Sequence, residues 1–500
     1  MSADALFGER PTAALKQRAV RGAFVAGGSQ GAKVVLQFIS VAVLARLLSP
    51  HDFGLVAMIT PLIGFSLLFQ DFGLTQALVT SPNLTQPEAA RIFSINLMLS
   101  CGVAVIVGLC SPILAHIYKE PAIMPLTIGL ASQIVLAAAA ASHLALLTRS
   151  MRFSSLACIE VAAAVAGLFA AITFAWFHAS PWALVVQSAT AAFVMMLMAW
   201  FMTKWRPHDA VPLVQVRSML HFGMGMTTFN LTNFLSRNAD NVMIGWSRGP
   251  LELGLYDRAY KLLLFPLQQI NRPIGAIMVP VLSRIVDEPE RYRAAYRRTL
   301  QITMLATVPG MLFLIVSAPV LIPFLLGGQR WAAAVPIFMW LGVAGLHQTI
   351  SNTFGWLFVS QRRSSEYARF GIFSTATCIA AFAAGLPWGA QGVAAAYGIS
   401  GIVMRLPAII WQVGRSGPVS ARDIIATAAP YALAAGIAAL VWRLAFPILP
   451  HAAFPHLVAT AAVTFAAFLG AIAMFSSGRS ALREAVGVLP LHRLLRKSSI

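Results

Sequence analysis

The chain has 500 residues, 58% of them hydrophobic and only 11% charged, with a mean hydropathy of +0.75. A soluble domain has roughly 45–50% apolar and about 25% charged residues, so a soluble globular enzyme is excluded as the default, and so is a disordered chain, which is charge-rich and apolar-poor. The charge that remains is unequal, 36 Lys+Arg against 17 Asp+Glu for a net +19; on a soluble chain this would point to nucleic acid, and on one this apolar it points to basic cytoplasmic loops between membrane spans.

Residues 1–21 are polar and end in Lys16, Arg18 and Arg21. They lack the apolar core and small-residue cleavage site of a signal peptide, so they read as a cytoplasmic tail. Beyond them, apolar segments of bilayer length recur about fourteen times. They cover 22–46, 53–78, 92–117, 122–148, 154–177, 181–203, 219–246, 253–283, 299–327, 333–360, 366–386, 389–414, 424–447 and 454–476. The expected fold is an all-α polytopic membrane protein. Its parts are an N-lobe over 22–203, a cytoplasmic linker over 204–218, a C-lobe over 219–414, two further helices over 424–476, and a basic cytoplasmic tail over 477–500. With the N-terminus inside, 25 of the 36 basic residues fall on the inner side, 5 on the outer side and six within spans. That bias fits an even number of spans with both termini inside, since one missed helix would invert every later loop.

The chain also repeats itself. Ser49-Pro50-His51-Asp52-Phe53-Gly54-Leu55 follows the first span, and Gly249-Pro250-Leu251-Glu252-Leu253-Gly254-Leu255 follows the seventh, 200 residues on, with a shared Pro-x-x-x-Gly-Leu core. A fainter echo sets Trp182-Ala183-Leu184-Val185 beside Gly392-Val393-Ala394. Two parallel six-span copies imply a symmetry axis along the membrane normal, an arrangement that transporters use to hold substrate between halves. Cys101, Cys110, Cys158 and Cys378 lie in apolar stretches without metal-ligand spacing and read as small core residues. No HExxH, Walker A, GxSxG or GxGxxG ahead of a helix is present, so no cofactor, metal or bound nucleotide is expected. The sequon Asn83-Leu84-Thr85 falls on the inner side and is discounted.

Charge at membrane depth costs about 2.5–3.5 kcal/mol on insertion scales, so it persists where it lines water, pairs or functions. The seventh span is unusually polar: Asn230, Asn233, Arg237, Asp240 and Asn241 step by three or four residues and share one helix face. That face suits a water-filled cavity, although Arg237 and Asp240 also have the spacing to neutralise each other. In the eighth span Arg258 and Lys261 lie one turn apart, followed by Gln268, Gln269, Asn271 and Arg272, among prolines 266, 273 and 280. Arg binds phosphate bidentately and Lys as a point charge; for Arg258, snorkelling to the interface is an equal alternative. Pairing of Arg258 with Asp257 looks awkward, because adjacent side chains on a helix diverge. In the first span Gln30, Lys33 and Gln37 share a face, and Asp71 in the second offers Lys33 a partner. If the halves form one cavity, Lys33, Arg237, Arg258, Lys261 and Arg272 face Asp71 and Asp240, leaving a net cationic interior for an anionic, phosphate-bearing substrate. Asp71 and Asp240 are the candidates for ion or proton coupling. Glu160 in the fifth span reads as a lone carboxyl, a proton site or an interfacial snorkeller. The segment 284–298, with five Arg among three acids, reads as an amphipathic linker on anionic lipid, and the 491–500 tail likewise.

Three stretches together resemble Wzx-type polysaccharide exporters. They are Ala45-Arg46-Leu47-Leu48-Ser49-Pro50-His51-Asp52-Phe53-Gly54-Leu55, Asp71-Phe72-Gly73-Leu74-Thr75-Gln76-Ala77-Leu78, and Arg237-Asn238-Ala239-Asp240-Asn241 leading to Leu253-Gly254-Leu255-Tyr256-Asp257-Arg258-Ala259-Tyr260. The chain is most similar to the branch with colanic-acid-type exporters, and the resemblance covers nearly its whole length. It implies the superfamily that also holds multidrug (MATE) exporters and the peptidoglycan-precursor flippase, with two six-helix lobes in a V and two extra helices. The implied activity is flipping of oligosaccharide repeat units on undecaprenyl pyrophosphate across the bacterial inner membrane, without covalent chemistry. Implied partners are that lipid-linked oligosaccharide, membrane lipid, a polysaccharide polymerase and a chain-length regulator. Lys33, Arg237, Arg258, Lys261 and Arg272 fit the family's cationic cavity by location and charge. The rival readings are a drug antiporter, which favours cationic substrates and so suits a cationic cavity poorly, and a lipid II flippase. A polymerase or ligase would need a large outer loop, and the outer loops here are short.

Overall fold

The structure is a computed structural model. It describes residues 15–71, 74–81, 84–208, 211–212 and 217–488, apart from the side chains of 15–26, 68–71, 77, 217–233, 235–237, 264–270, 272 and 485–488. The expectations for residues 1–14, Asn83 and the 491–500 tail fall outside it. The described chain is helical, without strands. In order come α1 (Leu15–Leu47), α2 (Pro50–Asp71), α3 (Leu74–Thr80), α4 (Gln86–Tyr118), α5 (Ile123–Arg149), α6 (Phe153–Phe177), α7 (Trp182–Thr203) and α8 (Arg217–Arg284). Then follow α9 (Pro289–Leu326), α10 (Ala334–Ser360), α11 (Ser364–Gly385), α12 (Gly389–Ser400), a π-helical turn (Gly401–Arg405), α13 (Leu406–Arg415), α14 (Ala421–Ala445), α15 (Ala453–Ala473) and α16 (Ser476–Val488).

Among the described residues eleven stretches are long and apolar enough to cross a membrane, against the roughly fourteen expected from span length. The shortfall has two sources. One stretch, Ser364–Arg415, holds two of the predicted spans, separated by the turn at Leu386–Trp388. The other is α8, which takes in both 219–246 and 253–283; among its described residues the apolar run Pro273–Arg284 is short. Large apolar side chains such as Leu109, Phe169, Trp176, Phe177 and Phe201 are more than 70% exposed. Contiguous exposed apolar surface marks an interaction face, and on helices of bilayer length that face meets lipid: this is a multi-pass membrane protein.

The chain forms two compact units, Met1–Gly254 and Leu255–Ile500. In the first, Leu78, Ile92, Phe93, Leu146 and Trp205 build a core beneath α3, α4 and α5. His143 is fully buried there between Phe93, Trp200 and Trp205, and its Nδ1 bonds Thr203 Oγ1 at 2.8 Å. Guanidinium groups close the same end: Arg149 donates to the carbonyls of Leu78 and Ser81, and Arg91 to that of Val211.

The two copies of Pro-x-x-x-Gly-Leu cross within this unit. A Cβ on Gly54 would lie 1.7 Å from the Pro250 carbonyl oxygen, and one on Gly254 would lie 1.8 Å from that of Pro50. The contact is reciprocal and runs backbone on backbone, so glycine is required by space. The approach is aimed by Gly249, whose φ of 82° breaks α8 just before Pro250.

In the second unit α9 packs against α10, α14 and α15. Tyr292 and Tyr296 on α9 are fully buried, and their hydroxyls pair with Ser360 Oγ at 2.6 Å and Thr353 Oγ1 at 2.8 Å on α10. The arginine-rich segment 284–298 runs into the first turns of α9. Glu288 stands just before α9, with Pro289 in its first turn, and Arg291 and Arg293 pair back to Glu288 and Glu290. Arg293 and Arg297 also reach Asp423 on α14, and Arg298 reaches Glu484 on α16. Asp423 is in addition the N3 residue of a capping box with Ser420. Asp423→Ala should therefore destabilise the protein by about 1 kcal/mol through loss of the cap, with a smaller salt-sensitive part from the half-exposed arginines. A melting curve in detergent at low and high salt checks both parts.

Candidate functional site

In the first unit the site is built on α1 and α6. Lys33 sits 14 residues before the end of α1, about 21 Å at the helical rise. Gln30 and Gln37, one turn to either side, are exposed on the same helix. The Lys33 ammonium meets Glu160 Oε2 on α6 at 2.5 Å, and the side chains are 32% and 41% exposed. Glu160 is thus no lone carboxyl. It supplies the counter-charge that the sequence reading sought in Asp71, the last residue of α2, whose side chain lies outside the described residues. Further along α1, Ser40 Oγ accepts a bond from Gln187 on α7 at 2.9 Å, extending the polar track.

In the first part of α8, Asp240 is 4% exposed and its Oδ1 accepts the Asn241 backbone N–H at 2.8 Å. Asn241 is partly exposed beside it. Asn230, Asn233 and Arg237 lie on the same helix, with side chains outside the described residues.

The second unit opens with a cluster the sequence reading missed. Asp257, 4% exposed, accepts from Arg258 Nε at 3.0 Å and Nη2 at 2.6 Å on one carboxylate oxygen, and from Lys261 Nζ at 2.8 Å on the other. The pairing expected to be awkward therefore forms. The long arginine stem folds back along the helix, and burial makes a bound guanidinium far cheaper than a free one. Arg258 is 13% exposed and does not snorkel, whereas Lys261 stays 40% exposed. The triad has a net single positive charge, presented through Lys261. Further along α8, both amide atoms of Asn271 are buried without a partner among the described residues; the Arg272 side chain beside it is outside them.

The sixth basic residue within the spans, Arg405, ends the π-helical turn and is 7% exposed. It donates to the Tyr397 carbonyl at 2.6 Å and to Cys378 Sγ at 2.9 Å, and lies 4.4 Å from the centroid of the Tyr397 ring. The Tyr397 carbonyl also accepts the Gly401 backbone N–H, so the guanidinium takes its second lone pair. Among the described residues no group of three or more His, Cys, Asp or Glu is placed to hold a metal ion, and Cys101, Cys110, Cys158 and Cys378 are free thiols.

Known proteins bear on the family and the fold. A sequence model described as "Polysaccharide biosynthesis protein" matches residues 43–336, more than half of the chain. The chain belongs to that family. The matched region holds Glu160, Asp240, Asp257, Arg258 and Lys261, and begins ten residues beyond Lys33. Among curated relatives, the "Lipopolysaccharide biosynthesis protein WzxC" of Escherichia coli (strain K12) is 25% identical over 377 residues, 74% of this chain and 76% of that one. The "Succinoglycan biosynthesis transport protein ExoT" of Rhizobium meliloti (strain 1021) is 25% identical over 317 residues, 63% of each. Among solved structures, the fold is similar to the lipid II flippase MurJ in an inward closed conformation, with a TM-score of 0.72 at 12% identity, covering 90% of this chain and 98% of that one. It is also similar to an inward-facing MATE family transporter, with a TM-score of 0.60 at 14% identity, over 79% and 95%. The family's fold is therefore of the MurJ and MATE kind.

Proposed function

We propose that this protein flips polyprenyl-pyrophosphate-linked oligosaccharide repeat units across the bacterial inner membrane for surface-polysaccharide assembly. The observation that carries the reading is the pair of part-exposed lysines within the spans, Lys33 and Lys261, in a member of a polysaccharide biosynthesis family. An ammonium at membrane depth is costly unless it serves a ligand or a pathway. A pyrophosphate is the anion that polysaccharide precursors carry through the membrane. Arg237 and Arg272 add to the cationic wall, Arg258 holds the Asp257 carboxylate beneath Lys261, Gln30, Gln37, Asn230, Asn233 and Asn241 supply polar lining for the sugars, and Asp71 and Asp240 are the coupling carboxylates. About fourteen spans with both termini inside form two six-helix lobes that rock about the loaded headgroup, while the polyprenyl tail stays in lipid. A polymerase and a chain-length regulator receive the product outside.

Deleting the gene from its host tests this directly. The expected result is loss of surface polymer, with lipid-linked oligosaccharide accumulating on the cytoplasmic leaflet and dye efflux unchanged. Unchanged polymer with impaired dye efflux would favour a drug antiporter. Loss of viability with arrested peptidoglycan synthesis would favour a lipid II flippase.

A further inference from the structure

A long apolar groove in the second unit is lined by none of the charged residues of the candidate site. α11 and α12 meet where the chain turns at Leu386–Trp388, and the contact is glycine on glycine: a Cβ on Gly385 would strike the Gly392 carbonyl, and one on Gly392 that of Gly385. Away from that crossing a cavity of about 1130 Å³ opens between the two helices. Ala376, Ala380 and Ala384 form one wall and Ala395, Ala396 and Ile399 the other, with Val403 and Met404 of the π-helical turn beyond. The two hydroxyls in the lining donate back to their own helices, Thr377 to the Phe373 carbonyl and Ser400 to that of Tyr397. Arg405, outside the lining, ties the walls together through Cys378 on α11 and the Tyr397 carbonyl on α12.

The groove has a charged end. Along α11 the lining residues Phe373, Ala376, Ala380 and Ala384 share a face with Arg369, one turn before Phe373. Along α13 Trp411 and Arg415 continue the face of Met404, and the Arg415 guanidinium stands 5.3 Å from the centroid of the exposed Trp411 ring. Both arginines are exposed. The Glu366 carboxylate near them is taken by Arg363, which bonds its two oxygens at 2.9 and 2.7 Å. Gln412 donates to the Glu366 carbonyl at 2.9 Å, joining the start of α11 to the end of α13, so the two guanidiniums stand at the same end of the groove.

We propose that this groove seats the polyprenyl chain of the carrier lipid, with Arg369 and Arg415 binding its phosphate, as a docking site that precedes transfer of the headgroup to the lysines. The proposal rests on the reading of the protein as a flippase for polyprenyl-linked precursors. Length decides the occupant. From Arg369 to Gly385 is sixteen residues, about 24 Å at the helical rise. One leaflet is half of the hydrocarbon core, about 15 Å, so a phospholipid acyl chain leaves the far part of the groove unfilled. A polyprenyl chain runs past the midplane and fills it. An apolar chain gains no hydrophobic energy on leaving lipid for protein, so selection comes from fit and from the phosphate. Alanine walls leave room for a methyl-branched chain, and arginine binds phosphate bidentately.

The experiment uses the full chain in phosphatidylcholine nanodiscs with a diazirine-bearing undecaprenyl phosphate, and maps the labelled peptides by mass spectrometry. Labelling should concentrate on residues 373–404 and fall when unlabelled undecaprenyl phosphate is added, while the same amount of phosphatidylglycerol leaves it unchanged. Ala380→Phe/Ala396→Phe fills the groove and should reduce labelling there to the level of the lipid-facing helix α6, with an unchanged melting temperature. Arg369→Gln/Arg415→Gln should weaken competition by roughly 10-fold or more, the effect of losing a charge-assisted bond. Equal competition by phosphatidylglycerol would make this a general anionic-lipid site and overturn the proposal, and so would wild-type labelling of α11 and α12 no stronger than that of α6. Should the double phenylalanine variant misfold, the competition on wild type still decides. If the groove fails these tests while deletion of the gene abolishes surface polymer, the docking site alone is lost. If the groove passes and deletion leaves polymer intact, the flippase reading fails and a polyprenyl-phosphate site remains.

Discussion

Gly54→Leu is expected to abolish polymer export and to lower the yield of folded protein, and Gly54→Ala to do the same more mildly. The cause is distance. A Cβ at Gly54 falls 1.7 Å from the Pro250 carbonyl oxygen, and one at Gly254 falls 1.8 Å from that of Pro50. In both cases the obstacle is backbone, which has no rotamer to change, so α2 or the Pro250 turn must move. Overpacking of this kind costs about 1–3 kcal/mol, and a backbone obstacle sets it toward the upper end. The same substitution at Gly310, Gly436 or Gly470, helical glycines with nothing within 4 Å of the added Cβ, should be neutral or gain about 0.4–1 kcal/mol. Gly54→Ala and Gly254→Ala should also be strongly non-additive, because both open one crossing. Surface polymer and melting temperature measured for the set will decide. Equal effects at Gly54 and Gly436 would mean that the crossing is unimportant.

That crossing was half legible in the sequence. The Pro-x-x-x-Gly-Leu core marks two equivalent positions 200 residues apart, but a repeat does not say that its copies touch. The helices were the easiest part to read, because bilayer-length apolar runs have no other use. α8 takes in both the seventh and the eighth span read from the sequence, and its break at Gly249 falls between them. A π-turn at Gly401–Arg405 left no trace in the apolar pattern. In the segment 284–298 three of the five arginines, Arg293, Arg297 and Arg298, meet Asp423 and Glu484 of α14 and α16, carboxylates that no local pattern points to.

The cations of the site were legible and their counter-charges were not. Lys33 and Lys261 stand out because ammonium groups are rare within spans. The carboxylate facing Lys33 is 127 residues away in sequence, and no local rule links α1 to α6. Asp257 and Lys261, at i,i+4 spacing, had the signal of a helical ion pair. The rule that adjacent residues diverge describes Cβ directions; a long arginine in a buried setting can still bend back to the preceding carboxylate, as the 2.6 Å contact shows.

The Asp257 cluster leads to the second large effect. Asp257→Ala should cost about 3–5 kcal/mol, the usual result of removing one partner from a buried pair, and should leave little folded protein. Most of that loss is expected to run through Arg258. Lys261 is 40% exposed, so its share is discounted. Arg258 is 13% exposed. Two comparisons isolate this. The double variant Asp257→Leu/Arg258→Met removes both buried charges and should recover much of the stability, since apolar replacements of a buried pair are often neutral. Lys261→Met leaves the Asp257–Arg258 pair intact and should fold nearly normally, yet lose export, because it removes the ammonium that the cluster presents. A melting series with surface-polymer assays separates the roles. Should the double variant be as unstable as Asp257→Ala, Arg258 would not be the source of the cost; should Lys261→Met export normally, the accessible charge of the triad would have no part in moving the substrate. With both expected outcomes, Asp257 and Arg258 form the base that holds Lys261 in place, and the pair corresponds to what Glu160 does for Lys33 in the first unit: each accessible lysine stands beside a carboxylate that keeps it tolerable in the membrane between substrates.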